Sequence, residues 1–124
     1  MSVASYRDLT VWQRAMDFTV TCYQLTGCFP RTETYGLASQ LQRAAVSIPS
    51  NIAEGAGREH TREYIHHVAI SNGSLFEAET QILLAQRLGY ISSEQVELAL
   101  ATSSEVGRMI RGLISALERK LEAR

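Results

Sequence analysis

The sequence predicts an all-α fold, an antiparallel up-down-up-down four-helix bundle. Three observations carry this expectation. Apolar residues recur at alternating three- and four-residue spacing through four long segments, which is the period of an amphipathic helix. No segment shows the strict alternation of a half-buried strand. Gly, Pro and cap residues cut the chain into those four segments, and the short turns between them place consecutive helices antiparallel. The 124 residues suit a single domain over 1–124. A chain of this size buries about two thirds of its unfolded surface, enough for one core.

The first helix runs from about Asp8, read as its N-cap, to Thr26, with Gly27 as the stop. Its stripe is Val11, Ala15, Phe18, Cys22 and Leu25, widened by Trp12, Met16 and Tyr23. Phe29-Pro30 breaks the chain. The second helix starts near Thr32 or Glu33, carries Leu37, Leu41, Ala44, Ile48 and Ile52, passes through Pro49, and ends at Gly55-Ala56-Gly57. The third starts near His60 or Thr61, shows Ile65, Val68, Asn72, Leu75, Ala78, Ile82 and Ala85, and ends at Gly89. Gly73-Ser74 in its middle marks a point of close backbone approach. Ser92 and Gln95 form a capping-box pattern for the fourth, whose seam is Val96, Ala99, Ser103, Val106, Ile110, Leu113, Leu117 and Leu121.

Apolar residues also stand off these seams: Phe76, Leu83 and Leu84 on the third helix, and Leu98, Leu100, Met109 and Ile114 on the fourth. A lone small bundle needs one buried face per helix. The surplus predicts a second buried surface and therefore self-association.

A hydrophobic fraction of 45% with 20% charged residues is ordinary globular usage and excludes intrinsic disorder. The net charge of −1 argues against a dedicated nucleic-acid binder, although charge placement matters more than the sum. Cys22 and Cys28 lie about 9 Å apart along a helical path, beyond disulfide reach, and are read as free thiols of a reducing compartment. The N-terminus has no signal pattern and no run reaches membrane-span length, so a cytoplasmic protein without a membrane is expected.

Residues 43–58, Arg-Ala-Ala-Val-Ser-Ile-Pro-Ser-Asn-Ile-Ala-Glu-Gly-Ala-Gly-Arg, are the most informative stretch. Proline inside a helix removes one hydrogen bond and costs about 3 kcal/mol. Ser47, Ser50 and Asn51 surround Pro49 and are expected to satisfy the carbonyl it frees. Arg43, Ser47, Ser50, Glu54 and Arg58 share one helix face at spacing 4-3-4-4, opposite Leu41, Ala44, Ile48 and Ile52. That polar face is read as local bonding, with Glu54 and Arg58 a helix pair, or as a subunit contact. Arg43, Ser47, Pro49, Ser50, Asn51, Glu54, Gly55 and Arg58 are thus the candidate signature and interface residues.

Glu63-Tyr64-Ile65-His66 matches one Glu-x-x-His element of di-metal bundles, but such sites need a second element and two further carboxylates. No metal and no cofactor is expected, and His60, His66 and His67 are read as solvated or paired. No phosphate loop and no nucleophile signature appears, so no catalytic residue is expected. The topology gathers the start of helix one, the turn from two to three and the end of helix four at one pole. Arg7, Arg62, Arg111, Arg119, Lys120 and Arg124 there are the candidate nucleic-acid contacts, and the opposite pole is more acidic. Helix four also places acids early and bases late, as dipole compensation requires.

The chain resembles the four-helix-bundle proteins first noticed as reading frames within intervening sequences of bacterial 23S ribosomal RNA genes. Asp8-Leu9-Thr10-Val11-Trp12-Gln13-Arg14-Ala15 looks like the family's opening. Leu25-Thr26, Phe29-Pro30 and Glu33-Thr34-Tyr35-Gly36-Leu37 look like its first turn. Gln40 to Arg58 is similar to its central signature, and Gly73-Ser74-Leu75 with Glu77-Ala78-Glu79-Thr80-Gln81 resembles that of its third helix. His66-His67-Val68 and Ser71-Asn72 depart from the aromatic-leucine and Ala-Arg pairs usual there. The resemblance implies a cyclic homopentamer without established catalytic activity. A related branch, the accessory variability proteins of diversity-generating retroelements, is strongly basic and binds nucleic acid together with a reverse transcriptase.

The expected protein is therefore a non-enzymatic homo-oligomer, an accessory module for RNA, DNA or a nucleic-acid-processing protein. A partner-binding scaffold ring without nucleic acid is the alternative, and a metal-binding bundle a remote one.

Overall fold

The computed structural model describes residues 5–123, which form four α-helices and, among the described residues, no strand. They are α1 (Thr10–Thr26), α2 (Leu37–Ala56), α3 (Thr61–Arg87) and α4 (Ser93–Glu122). Consecutive helices pack side by side and α4 closes back on α1, while the backbones of the diagonal pairs stay more than 8 Å apart between Cα atoms. Cross-helix bonds fix the directions. Thr19 and Thr26 of α1 meet Ala45 and Gln42 of α2, and Ser47 and Asn51 of α2 meet Ser74 and His67 of α3. Numbering rises on one helix as it falls on its neighbour, so these pairs are antiparallel. No helix among the described residues is long and apolar enough to cross a membrane.

The predicted seams form the core. Ala15, Phe18, Cys22, Leu41, Ile48, Ile52, Val68, Ile82, Val106 and Ile110 are fully buried. Burial pushes the Cys22 thiol up to about 12, so it stays protonated and inert, while Cys28 is exposed; both are free.

Several boundaries differ from the sequence reading. Asp8 is not the cap of α1. It closes a 3-10 turn, Tyr6–Asp8, and Leu9 precedes the helix with no side-chain cap. The turn is held by Ser5 Oγ accepting from the Arg7 N–H at 3.1 Å and by Tyr6 packed edge-on against Trp12. α2 begins at Leu37 rather than near Thr32 or Glu33, because Arg31–Glu33 form a separate 3-10 turn and Gly36 breaks the helical path. α3 ends two residues before Gly89. Gly89 takes φ +80°, and bonds from Tyr90 N–H to Ala85 O and from Gly89 N–H to Gln86 O close the end in a Schellman motif. The Ser92–Gln95 capping box of α4 is present in both directions.

The Glu33 carboxylate accepts from the Leu37 N–H at 3.0 Å and the Tyr90 O–H at 2.8 Å. These bonds hold its pKa below the usual carboxylate value. A lowered native pKa adds stability above the unfolded carboxyl's pKa of about 4.3, and this is lost as pH falls through the native value. Tyr90→Phe removes one of the bonds. The gap in urea midpoint between wild type and Tyr90→Phe is expected to be larger at pH 7 than at pH 3, and an equal gap at both would rule this out.

The apolar surplus is distributed differently from expectation. Leu100, Met109 and Ile114 are half-buried against the core. Met16 and Tyr23 do not widen the core face of α1; they stand exposed with Val20. Phe76, Leu83, Leu84 and Leu98 are exposed as expected.

Candidate functional site

Pro49 sits in the middle of α2, buried on the side facing α1. The helix continues through it, so the carbonyl four residues back, Ala45 O, lacks its usual amide donor. The donor that replaces it is Thr19 Oγ1 of α1, at 3.0 Å. Ser47, Ser50 and Asn51, the local candidates, do not bond this carbonyl. No periodicity in α2 points to Thr19, which carries no local signal for its role.

Ser47 and Asn51 instead build a polar seam between α2 and α3. Asn51 Nδ2 donates to Ser47 O at 3.0 Å and lies 3.1 Å from Ser47 Oγ. A carbonyl only accepts, so the amide nitrogen must face Ser47 and Asn51 Oδ1 must face His67. His67 Nδ1 lies 3.1 Å from that oxygen and donates to it. Its Nε2 lies 3.9 Å from Glu54 Oε1, and Glu54 accepts from Arg58 at 2.8 Å, the helix pair the spacing predicts. Ser74 Oγ donates to Ser47 Oγ at 2.9 Å, and the buried Ser71 Oγ to Ile48 O at 2.8 Å. Ser71, Ser74 and His67 thus belong to the site, although the reading of α3 placed none of them there. Their mutual spacing of three and four residues was the available signal.

Gly55 is buried where α2 and α3 pass close to each other. A Cβ there would meet His67 Cβ at 2.9 Å and Tyr64 O at 3.1 Å. At Gly73, the anticipated close approach, a Cβ would meet nothing within 4 Å. Gly73 is exposed, so the glycine that allows close approach of α2 and α3 is Gly55.

Arg43 and Ser50 are exposed. Ser50 borders a crevice of about 370 Å³ between α1 and α2, beside Trp12, Met16, Val46 and Pro49. Arg43 borders one of about 270 Å³ between α2 and α3, with Gln40, Ser47, Ser74, Glu77 and Gln81.

Arg7, Arg62, Arg111, Arg119 and Lys120 are all exposed, and none forms an ion pair among the described residues. Arg7 lies against the Tyr6 ring, 5.7 Å from its centroid. The topology brings Arg7, Arg62, Arg119 and Lys120 to one pole, whereas Arg111 lies about 16 Å back along α4 from its end. Arg124 lies outside the described residues. Glu63, His60 and His66 are exposed at the start of α3, and no group of three metal-ligating side chains forms among the described residues.

Fold and site define an antiparallel four-helix bundle with a proline-centred second helix and a polar seam against the third. A family model described as 23S rRNA-intervening sequence protein matches residues 7–112, and the chain belongs to that family. Among solved structures it is similar to a crystal structure of a protein of unknown function from the S23 ribosomal protein family of Bacteroides thetaiotaomicron VPI-5482. The TM-score is 0.79 at 24% identity, covering 85% of this chain and 98% of the other, a likeness of fold. No curated protein matches the chain.

Proposed function

We propose that the protein is a non-enzymatic, self-assembling bundle of the cytoplasm, an accessory module that takes a nucleic acid or ribonucleoprotein against its less acidic pole. The family resemblance makes a cyclic homopentamer the favoured assembly. The observation that carries the reading is the set of exposed cations at that pole, Arg7, Arg62, Arg119 and Lys120, each without an acidic partner among the described residues. The same pole carries exposed Asp8, Glu59, Glu63, Glu118 and Glu122, so these cations act as local contacts rather than as a net excess, and a cyclic assembly repeats them around the axis. Exposed Met16, Val20 and Tyr23 on α1 and Phe76, Leu83 and Leu84 on α3 supply apolar surface for the assembly.

Single-stranded RNA is expected to bind the purified protein at low salt, with affinity falling as salt rises. Arg119→Glu with Lys120→Glu is expected to weaken binding and lower the slope of log affinity against log salt by roughly 0.7 for each lost contact. No binding at low salt overturns the nucleic-acid reading. The scaffold reading is favoured by Tyr35 and Leu98, which are 97% and 73% exposed and offer apolar rather than phosphate-binding contacts. A single protein partner recovered without RNA would support it.

A further inference from the structure

The crevice of about 370 Å³ between α1 and α2 is mostly apolar. Tyr6 and Trp12, at the start of α1, bound it on one side, and Val46, Pro49 and Ala53, in the second half of α2, on the other. It therefore lies toward the pole where α1 starts and α2 ends. The Tyr6 and Trp12 rings meet at 70° with centroids 5.3 Å apart, and neither is fully covered by the chain. They form a corner, in which a flat ring laid on one face meets the edge of the other. Thr19 also borders the crevice, but its hydroxyl is committed to Ala45 O. Ser50 is exposed on the α2 side and can donate or accept at a ring edge. Arg7 is exposed, with its guanidinium carbon 5.7 Å from the Tyr6 centroid, so a fixed positive charge stands beside the corner. Asp8 follows it and is exposed too, which suits Arg7 to one phosphate rather than to a cationic run.

We infer that this crevice takes one base of a single-stranded RNA, stacked against Trp12 and Tyr6 with its phosphate on Arg7. The inference rests on the nucleic-acid reading proposed above and gives it a site. A nucleotide joins a flat aromatic ring to an anion through one sugar. The crevice sets an aromatic corner beside one cation, which matches that pairing. An aliphatic side chain of a protein partner would use the apolar walls and leave Arg7 unused. Stacking on a side chain needs an unpaired, unstacked base, so the strand is single. Every base has a flat face, so such a slot tolerates many sequences. Val20 and Tyr23, offered above for assembly, lie more than two turns beyond Trp12 along α1. Assembly through them and stacking at Trp12 thus use different parts of the helix.

Trp12 is the one tryptophan of the chain, so its fluorescence reports on the crevice directly. The probes are a short oligoadenylate and an abasic strand with the same number of phosphates, each titrated at low salt against the full chain. The oligoadenylate is expected to bind about tenfold more tightly, the worth of one stacked base, and to quench Trp12 emission. The abasic strand is expected to bind without quenching. Ala53→Met, which fills the crevice from its α2 side, is expected to abolish the tenfold preference with helix content unchanged by circular dichroism. Arg7→Gln is expected to weaken both strands alike. Because the two strands are compared on the wild-type chain, the result stands whether or not a variant folds. Equal affinity for both strands with Trp12 emission unchanged overturns the base site and leaves the phosphate contacts standing. A preference that survives in folded Ala53→Met places the base elsewhere and also overturns it. Trp12 emission that shifts with protein concentration alone assigns the crevice to a second copy and overturns it as well. No binding of either strand removes the nucleic-acid reading together with this one.

Discussion

Valine at position 55 is expected to destabilise the protein by about 3 kcal/mol, and alanine by about 1 kcal/mol, in urea unfolding. Intrinsic preference points the other way. Alanine in place of a helical glycine gains about 1 kcal/mol, so a gain in stability would follow if Gly55 were merely a helix-end residue. The geometry decides the sign. The added Cβ would lie 2.9 Å from His67 Cβ and 3.1 Å from the Tyr64 carbonyl oxygen. Neither atom is the free tip of a flexible chain, so α3 itself must move away. Overpacking of this kind costs about 1–3 kcal/mol. The movement also stretches the Asn51–His67 and Ser71–Ile48 hydrogen bonds, each contributing about 1 kcal/mol. Valine adds two further methyl groups and gives up part of the propensity gain.

Gly112 is the control. It lies exposed inside α4, and a Cβ there meets nothing within 4 Å. Gly112→Ala is expected to stabilise by about 0.5–1 kcal/mol. Should Gly55→Ala prove as stabilising as Gly112→Ala, the close contact of α2 and α3 at Gly55 is wrong.

The contrast between these glycines shows where a sequence stops informing. Four helices, their order and most of the core were legible, because burial imposes a 3-4 repeat on each helix independently. Phe18, Ile48, Ile82 and Ile110 are each fixed by their own helix's pattern. Contacts between helices were not legible in the same way. Gly55 and Gly73 are both helical glycines, and only the rotation of α2 against α3 determines which faces a neighbour. Met16 and Tyr23 border the buried stripe of α1 within one helical turn, and the sequence alone does not give the width of that stripe. The signature around Pro49 was recognisable as unusual and its helix pair Glu54–Arg58 was predicted. Its partners His67, Ser71 and Ser74 lie on α3, and no local rule on α2 names them.

Thr19→Val is expected to destabilise by about 1–3 kcal/mol, the cost of leaving a buried acceptor without a donor. The substitution keeps the branched shape and removes the hydroxyl. Thr19 Oγ1 lies 2.9 Å from Ala15 O and 3.0 Å from Ala45 O. A hydroxyl has one proton to donate, and the two carbonyls do not need it equally. Ala15 O already accepts the Thr19 amide within α1, whereas Ala45 O has lost its amide donor to Pro49. The cost of Thr19→Val must therefore depend on residue 49. Pro49→Ala restores an N–H four residues after Ala45, so Ala45 O regains a helical bond. In that background Thr19→Val is expected to cost under about 0.5 kcal/mol, and a double-mutant cycle then shows coupling of about 1 kcal/mol or more. Thr19→Ser, which keeps the donor, separates loss of the hydroxyl from loss of the methyl group. If Thr19→Val costs the same with proline or alanine at position 49, the hydroxyl is not the substitute donor. The tolerance of α2 for an interior proline would then need a source within the helix itself.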